Sequence, residues 1–167
     1  NTAQQNDRNM QALLVIDVKQ GLFENAVPVY KAETLLENIN LLAERAHQAE
    51  VPVIYIQHTG SETLLVGTPK WQFHPAIQPQ ADDLVIHKKV GNSFEGTVLH
   101  ETLQSMNVNH VVVCGLVTHG CVRATCMGAL KLGYRVTLAE DAHSNFSRQP
   151  LKIIETLNEK MRKKKAA

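Results

Sequence analysis

At 167 residues, with 44% hydrophobic residues, 20% charged residues and a formal net charge of +1, the chain has the composition of a globular domain with a substantial core. No apolar run approaches the length of a membrane span, and residues 1–10 lack the apolar centre of a signal peptide. Three cysteines without a CxxC pair are typical of free thiols in a reducing compartment. We therefore expect one cytoplasmic domain over 1–167, with a flexible end at 1–10 and no membrane partner.

Predicted strands and helices alternate along the chain. Strands are expected at 12–18, 51–58, 83–88, 110–116 and 135–141. Helices are expected at 30–50, 96–108, 120–133 and 149–164. The segment 59–82 is rich in glycine, proline and polar residues and is predicted to be a functional loop or lid. This alternation predicts an α/β fold, with a parallel sheet of five or six strands in a three-layer, Rossmann-like α/β/α arrangement.

The C-terminal end carries a basic run, while the rest of the chain is mildly acidic. Five basic residues lie between 160 and 165. A terminal run of this kind is typical of a solvated helix end, so no nucleic-acid partner is predicted.

Three reactive side chains follow the carboxyl ends of predicted strands. Asp17 and Lys88 close the first and third strands, and Cys121 lies five residues past the fourth, at the start of a predicted helix. Because the carboxyl ends of parallel strands meet at the sheet edge where ligands bind, we expect these groups to lie close together. Taken singly, Asp17 could instead cap a turn and Lys88 could be a solvated strand end.

The three cysteines have different predicted roles. A helix N-terminus and a nearby ammonium both lower the pKa of a thiol, which predicts a reactive thiolate at Cys121. A carboxylate at Asp17 would accept the thiol proton and return it to a leaving amine. Cys114 and Cys126 are interpreted as packing residues. Cys121 and Cys126 are five residues apart and do not share a helical face, so a redox pair is not expected.

Several segments, taken in order, resemble the isochorismatase-like cysteine hydrolase family. They read "ALLVIDVKQGLF", "VPVIYIQH", "VIHKKVGNSFEGTVL", "VVVCGLVTHGCVRAT" and "LGYRVTLAEDAHS". The resemblance implies a catalytic triad of Asp17, Lys88 and Cys121. It also implies a non-proline cis peptide bond between Leu116 and Val117.

The resemblance further implies how the cysteine turn would act. The backbone N–H groups of Val117 and Cys121 would form an oxyanion hole, and Thr118 would hold the turn. Asp141, in the "EDAHS" segment, is interpreted as structural. The candidate substrate-pocket residues are Phe23, His58, Trp71, Phe94 and His119.

The cysteine indicates which branch of the family the chain resembles. True isochorismatases, which hydrolyse a vinyl ether, tend to have glycine where this chain has Cys121. The resemblance is therefore to the amidohydrolase branch, with nicotinamidases, N-carbamoylsarcosine amidases and streptothricin hydrolases. We expect a hydrolase that cleaves a C–N bond of a small amide, ureido or carbamoyl compound through an acyl-enzyme. Vinyl-ether hydrolysis and a catalytically silent, oligomeric binding protein of the same fold stay open as alternatives.

Comparison with features that are common in the family gives predictions for metal binding, oligomeric state and the number of strands. Nicotinamidases carry an Asp-and-His metal site after the second strand, whereas His58 stands alone here and Gly21 replaces the second aspartate. No metal and no cofactor are therefore predicted. The habit of the family, with Trp71 and Phe73 read as exposed, predicts a homo-oligomer, a dimer or tetramer. Residues 158–167 contain no apolar run for the sixth strand that relatives often add.

Overall fold

The computed structural model describes residues 10–60 and 65–166. The strands are β1 Gln11–Ile16, β2 Val53–His58, β3 Leu84–Lys88, β4 His110–Leu116 and β5 Arg135–Ser144. The α-helices are α1 Ala32–Gln48, α2 Leu99–Ser105, α3 Arg123–Lys131 and α4 Pro150–Ala166. The predicted flexible end at 1–10 lies, except for Met10, outside the described residues. Every predicted strand and helix is present, and β5 runs three residues further than predicted.

Two short turns lie beside the strand ends. A 3₁₀ turn, Gln20–Phe23, follows β1, and a wide π-helical turn, Thr118–Val122, leads from β4 into α3. The sequence predicted an ordinary helix from residue 120. The difference arises because Gly120 has φ −114° and ψ −112°, outside the helical region, which widens this first turn.

All strands of the described chain form one parallel sheet in the order β3-β2-β1-β4-β5. The chain builds outward from β1 to β3 on one side and then returns to place β4 on the other side of β1. Strand order therefore reverses between β1 and β4. In open α/β sheets, ligands bind at the carboxyl edge beside such a reversal. This point lies directly after Ile16 and Leu116.

The two faces of β1 pack against different helical layers, because successive side chains of a strand point to opposite faces. Leu14 and Ile16 belong to a core shared with α2, α3 and part of α4. Leu13 and Val15 belong to a second core that includes α1. The predicted three-layer α/β/α class is confirmed. No described residue follows α4, so within the described residues the sheet has five strands.

The helices of the described chain include none that combines the length and the apolar character required to cross a bilayer.

Gly115 allows β1 and β4 to approach closely at the edge where the strand order reverses. Its φ is +119°, and a Cβ atom built there would lie 2.1 Å from the carbonyl oxygen of Ile16. The pairing of β4 with β5 also shifts register between Val113 and Gly115. The close approach at Gly115 and the register shift both lie at the strand ends that lead into the segments carrying Asp17 and Cys121.

We expect Gly115→Ala to destabilise the fold by about 2–4 kcal/mol, because it adds both a backbone clash and an unfavourable φ. Gly96→Ala is the matched control, since Gly96 also has positive φ (+68°) but has no atom within 4 Å of a built Cβ. The control should cost only about 1 kcal/mol. Chemical denaturation measures both, and equal losses would contradict the argument from close approach.

Candidate active site

The ammonium of Lys88 is the centre of a buried polar cluster at the carboxyl edge of the sheet. Lys88 is 1% exposed, and its Nζ lies 3.0 Å from Asp17 Oδ2 and 3.1 Å from Cys121 Sγ. It also lies 3.2 Å from His58 Nδ1 and 3.1 Å from the carbonyl oxygen of Val90. An ammonium has three N–H donors, so these four acceptors use its hydrogen-bonding capacity completely. The structure thus brings together Asp17, Lys88 and Cys121, as predicted from the strand ends.

Backbone contacts fix the position of Asp17. Asp17 is 3% exposed and has φ +52°, in the left-handed region that aspartate adopts more readily than most residues. Its N–H donates to the Ile56 carbonyl at 2.9 Å, and its Oδ1 accepts from the His58 N–H at 2.9 Å. One oxygen of the carboxylate therefore accepts a hydrogen bond from the backbone of β2, and the other forms an ion pair with Lys88.

The wide turn after β4 presents Cys121 at the head of α3. The Val117 carbonyl accepts hydrogen bonds from the N–H groups of Gly120 at 3.0 Å and Val122 at 3.2 Å. The Leu116–Val117 peptide bond is cis, at the position that the resemblance implied. Cys121 is half-buried, whereas Cys114 and Cys126 are fully buried and all three thiols are free.

A chain of buried hydrogen bonds anchors Thr118 at the base of this turn. The Thr118 hydroxyl accepts from Asn145 Nδ2 at 3.3 Å and pairs with His143 Nδ1 at 2.9 Å. His143 Nε2 pairs with Asn158 Oδ1 at 2.7 Å. Because an amide oxygen only accepts, Nε2 carries the proton and Nδ1 accepts from Thr118. Burial lowers the pKa of His143, which favours this neutral form. Asn145 and Asn158 were not predicted as site residues.

The expected lowering of the Cys121 pKa is wrong. The pKa of Cys121 is raised to about 11, first by burial and then by the charge and hydrogen bonding of the Asp17 carboxylate. Lys88 lowers the pKa of Cys121, as predicted, but its effect is smaller than the combined effects of burial and Asp17. The resting thiol is therefore protonated, and the adjacent carboxylate is the group placed to remove its proton.

Lys19 is a buried cation that sequence reasoning missed. It is 2% exposed, although a lysine after a strand normally reaches solvent. Burial lowers its pKa; Asp17 and Cys121 raise the pKa, and Lys88 lowers it. The available signal was its position two residues after Asp17, which by itself gives no measure of burial.

The predicted pocket residues fall into two groups. His58 contacts Lys88 directly, and Phe23 packs edge-on against His74 with ring centroids 4.6 Å apart. Trp71 is half-buried against His87, and its buried Nε1 has no hydrogen-bond partner among the described residues. These three residues belong to β2 and to the segments that follow β1 and β2.

The other two predicted pocket residues are placed elsewhere. Phe94 is 8% exposed and stacks on Tyr134, so it belongs to the core and offers a substrate little surface. His119 is exposed and lines a groove of about 680 Å³ between the turn and α4. The lining of this groove does not include Asp17, Lys88 or Cys121. A position beside motif residues in the sequence does not determine to which side of the backbone a side chain points.

The reading of Trp71 and Phe73 as exposed is also wrong. Phe73 packs edge-on against Tyr55 and joins the core beneath α1. Self-association stays a prediction that rests on the resemblance alone.

The family profile described as Isochorismatase domain matches residues 11–161. The chain belongs to the isochorismatase family.

Among members of this family, the chain is similar to a streptothricin hydrolase of Streptomyces noursei. The two are 34% identical over 139 residues, which cover 82% of this chain and 50% of that protein. The maleamate amidohydrolase of Pseudomonas putida is 27% identical over 157 residues, covering 80% and 74% respectively. A crystal structure of an isochorismatase from Pseudomonas putida is 28% identical, with a TM-score of 0.85 over 92% of this chain and 84% of that one. The chain spans about half the length of the streptothricin hydrolase it matches.

The residues of this site do not fit a metal ion. Asp17, His58 and Cys121 each offer a ligand atom, and these atoms lie within 4.8 Å of one another. The Lys88 ammonium, however, contacts all three at 3.0–3.2 Å and so takes the position that a cation would need. Burial and Lys88 also lower the pKa of His58, which leaves a neutral imidazole that accepts from Lys88.

The first prediction from this geometry concerns thiol alkylation. Iodoacetamide should label Cys121 much faster than Cys114 or Cys126, because those two are fully buried and burial raises the pKa of Cys114 and brings that of Cys126 to about 12. The Cys121 rate should rise about tenfold per pH unit from 7 to 10, since the thiolate fraction grows in that proportion below a pKa of about 11. Peptide mass spectrometry measures both; a rate already at its plateau at pH 7 would contradict the raised pKa.

The second prediction concerns metal removal. Because an ammonium fills the space between the candidate ligands, exhaustive chelation should leave turnover of any identified substrate within about twofold of the untreated protein. Loss of turnover on chelation, restored by zinc, would show that Lys88 moves aside for a metal.

Proposed function

We propose that this protein is a cysteine hydrolase that cleaves a C–N bond of a small amide, ureido or carbamoyl compound. The observation that carries the proposal is the contact of one buried ammonium, that of Lys88, with both a carboxylate and a half-exposed thiol. A thiol with a base and a cation beside it is suited to attack on a carbonyl carbon. It has no evident use in the hydrolysis of a vinyl ether.

Attack begins with a proton transfer from Cys121 to Asp17. The sulfur then forms a bond to the substrate carbonyl carbon, and the carbonyl oxygen becomes an oxyanion. The N–H groups of Val117 and Cys121 are proposed to donate to this oxyanion. Lys88 contacts the carboxylate at 3.0 Å and the sulfur at 3.1 Å, so it can stabilise negative charge on either group.

Collapse of the tetrahedral intermediate breaks the C–N bond. Asp17 gives its proton to the nitrogen, which leaves as ammonia or an amine, and the acyl group stays on Cys121 as a thioester. The carboxylate of Asp17 then removes a proton from water, whose oxygen attacks the thioester. The C–S bond then breaks, the carboxylic acid product leaves, and Asp17 returns the proton to the sulfur of Cys121. The net reaction consumes one water per C–N bond.

The names of relatives support the proposed class of bond. One similar protein is named as a streptothricin hydrolase and another as a maleamate amidohydrolase. The second name supports a small amide as the substrate, and the first supports hydrolysis. The experiment that tests the class is a panel of small amides, ureido compounds and carbamoyl compounds, monitored for ammonia release.

The third prediction tests Asp17 as the proton carrier. Asp17→Asn should lower turnover by about 10²–10⁴-fold, because it removes the base and keeps its size. Asparagine tolerates the left-handed conformation at this position, so the backbone should persist. The variant should still lose about 3–5 kcal/mol of stability, since Lys88 stays buried without its anionic partner. Assays must therefore run well below its melting temperature.

A matched control and a second measurement separate this role from a structural one. Asp141→Asn makes the same change at an exposed aspartate whose backbone carbonyl, rather than its carboxylate, is bonded to Asn38. It should retain full turnover. Removal of the Asp17 charge should also shift Cys121 alkylation to lower pH, because that charge raises the thiol pKa. Folded Asp17→Asn protein with wild-type turnover would falsify the mechanism.

A further inference from the structure

Backbone pairing with residues 72–74 holds Lys19 in place beside Phe73. Lys19 forms an antiparallel bridge with Phe73, and the flanking hydrogen bonds are His74 N–H to Val18 carbonyl at 2.9 Å and Gln20 N–H to Gln72 carbonyl at 2.8 Å. Within residues 10–60 and 65–166, no hydrogen bond or ion pair involves its ammonium. The residue as a whole is nevertheless only 2% exposed.

Among the residues that the structure describes, the charges of the buried cluster do not balance. Asp17 contributes one negative charge, whereas Lys88 and Lys19 each contribute one positive charge. Cys121 is a protonated thiol and His58 is a neutral imidazole, because burial raises the pKa of the first and lowers that of the second. One positive charge is left over. A buried charge without a partner is costly, so an anion that enters this site is stabilised by the imbalance.

Lys88 cannot be the group that binds such an anion. Its three N–H donors already face four acceptors within 3.2 Å. Lys19 has three donors and none of these contacts. Its ammonium is near enough to Asp17, Lys88 and Cys121 for mutual electrostatic effects, and it also lowers the pKa of His58.

We infer that Lys19 binds a carboxylate of the substrate, so that the substrate class is an amide bearing a carboxylate a few bonds from the scissile C–N bond. This inference rests on the proposed function and narrows its substrate class. The substrate carboxylate would pair with the Lys19 ammonium and bring the buried cluster to charge balance. The proton transfers between Cys121, Asp17 and the leaving nitrogen are internal, so the balance persists through the reaction. Lys19 would act as a binding residue and would take no proton itself.

An alternative use of the same charge is to stabilise the Cys121 thiolate during attack. In that case Lys19 would favour every substrate equally. The two possibilities differ in their dependence on the charge of the substrate, which is what the experiment measures.

The test compares monoamides of dicarboxylic acids with the corresponding diamides, which have the same size without the charge. The probes are malonamate, succinamate and glutaramate beside malonamide, succinamide and glutaramide, with ammonia release as the readout. Wild-type protein should prefer at least one monoamide. Lys19→Gln should lower kcat/KM for that monoamide by about 10–150-fold, mainly through KM, as expected for one lost charge-assisted contact. The loss on the diamide should be much smaller.

A binding measurement gives an answer that does not depend on turnover. Malonate, succinate or glutarate at millimolar concentration should slow iodoacetamide labelling of Cys121 in the wild type, and the diamides should not. Lys19→Gln should abolish this protection when each variant is compared with and without the acid. Lys89→Gln is the matched control, because Lys89 is the exposed neighbour of Lys88. It should retain both the substrate preference and the protection.

Each outcome decides between the two proposals. Equal loss on monoamide and diamide would overturn the carboxylate role of Lys19 and leave the proposed hydrolase intact. The carboxylate role of Lys19 would also be overturned if no dicarboxylate protected wild-type Cys121 from labelling and the protein preferred diamides. Protection that depends on Lys19, in a protein that releases ammonia from no amide, would support the anion site and count against the proposed hydrolase.

Discussion

A buried ammonium is the constraint on which the site depends. Removing the Lys88 charge from water is costly, and the cost is offset only if every N–H finds an acceptor. The acceptors come from three different parts of the chain: Asp17 after β1, His58 at the end of β2, and Cys121 after β4. The position of Lys88 therefore also fixes the distances among the groups it contacts. The same contacts exclude a metal ion from the space between them.

The sequence predicted the fold and the proximity of Asp17, Lys88 and Cys121 well, because both depend on simple regularities. Continuous apolar strands alternating with amphipathic helices specify a parallel sheet, and a parallel sheet places all carboxyl ends on one edge. Asp17 and Lys88 were therefore predicted to be neighbours from their positions at strand ends alone. The position of Cys121 was predicted equally well, although the turn before it is wider than an ordinary helix start. That difference depends on the backbone of Gly120, which no periodicity reveals.

Burial of individual side chains could not be predicted in the same way. Phe94 and His119 flank the motifs, yet one lies in the core and the other at the surface, because each depends on tertiary packing. Lys19 resembles an ordinary surface lysine until the 70–74 segment is known to cover it. The sign of the Cys121 pKa shift was missed for the same reason. A helix end and a cation can be read from sequence, whereas the depth of burial and the nearness of Asp17 cannot.

The raised thiol pKa is compatible with nucleophilic attack because of where Lys88 lies. In the proposed mechanism, proton transfer from Cys121 to Asp17 moves a negative charge from the carboxylate to the sulfur. Lys88 Nζ is 3.0 Å from the carboxylate and 3.1 Å from the sulfur, so its attraction for that charge is nearly the same before and after the transfer. The ammonium therefore needs little movement during the step. A site with the cation against the sulfur alone would hold a thiolate at rest, but its carboxylate would lack a partner. In the proposed mechanism, one buried cation would stabilise both the donor and the acceptor of the proton, and a carboxylate on the substrate would balance the charge of the second cation, Lys19.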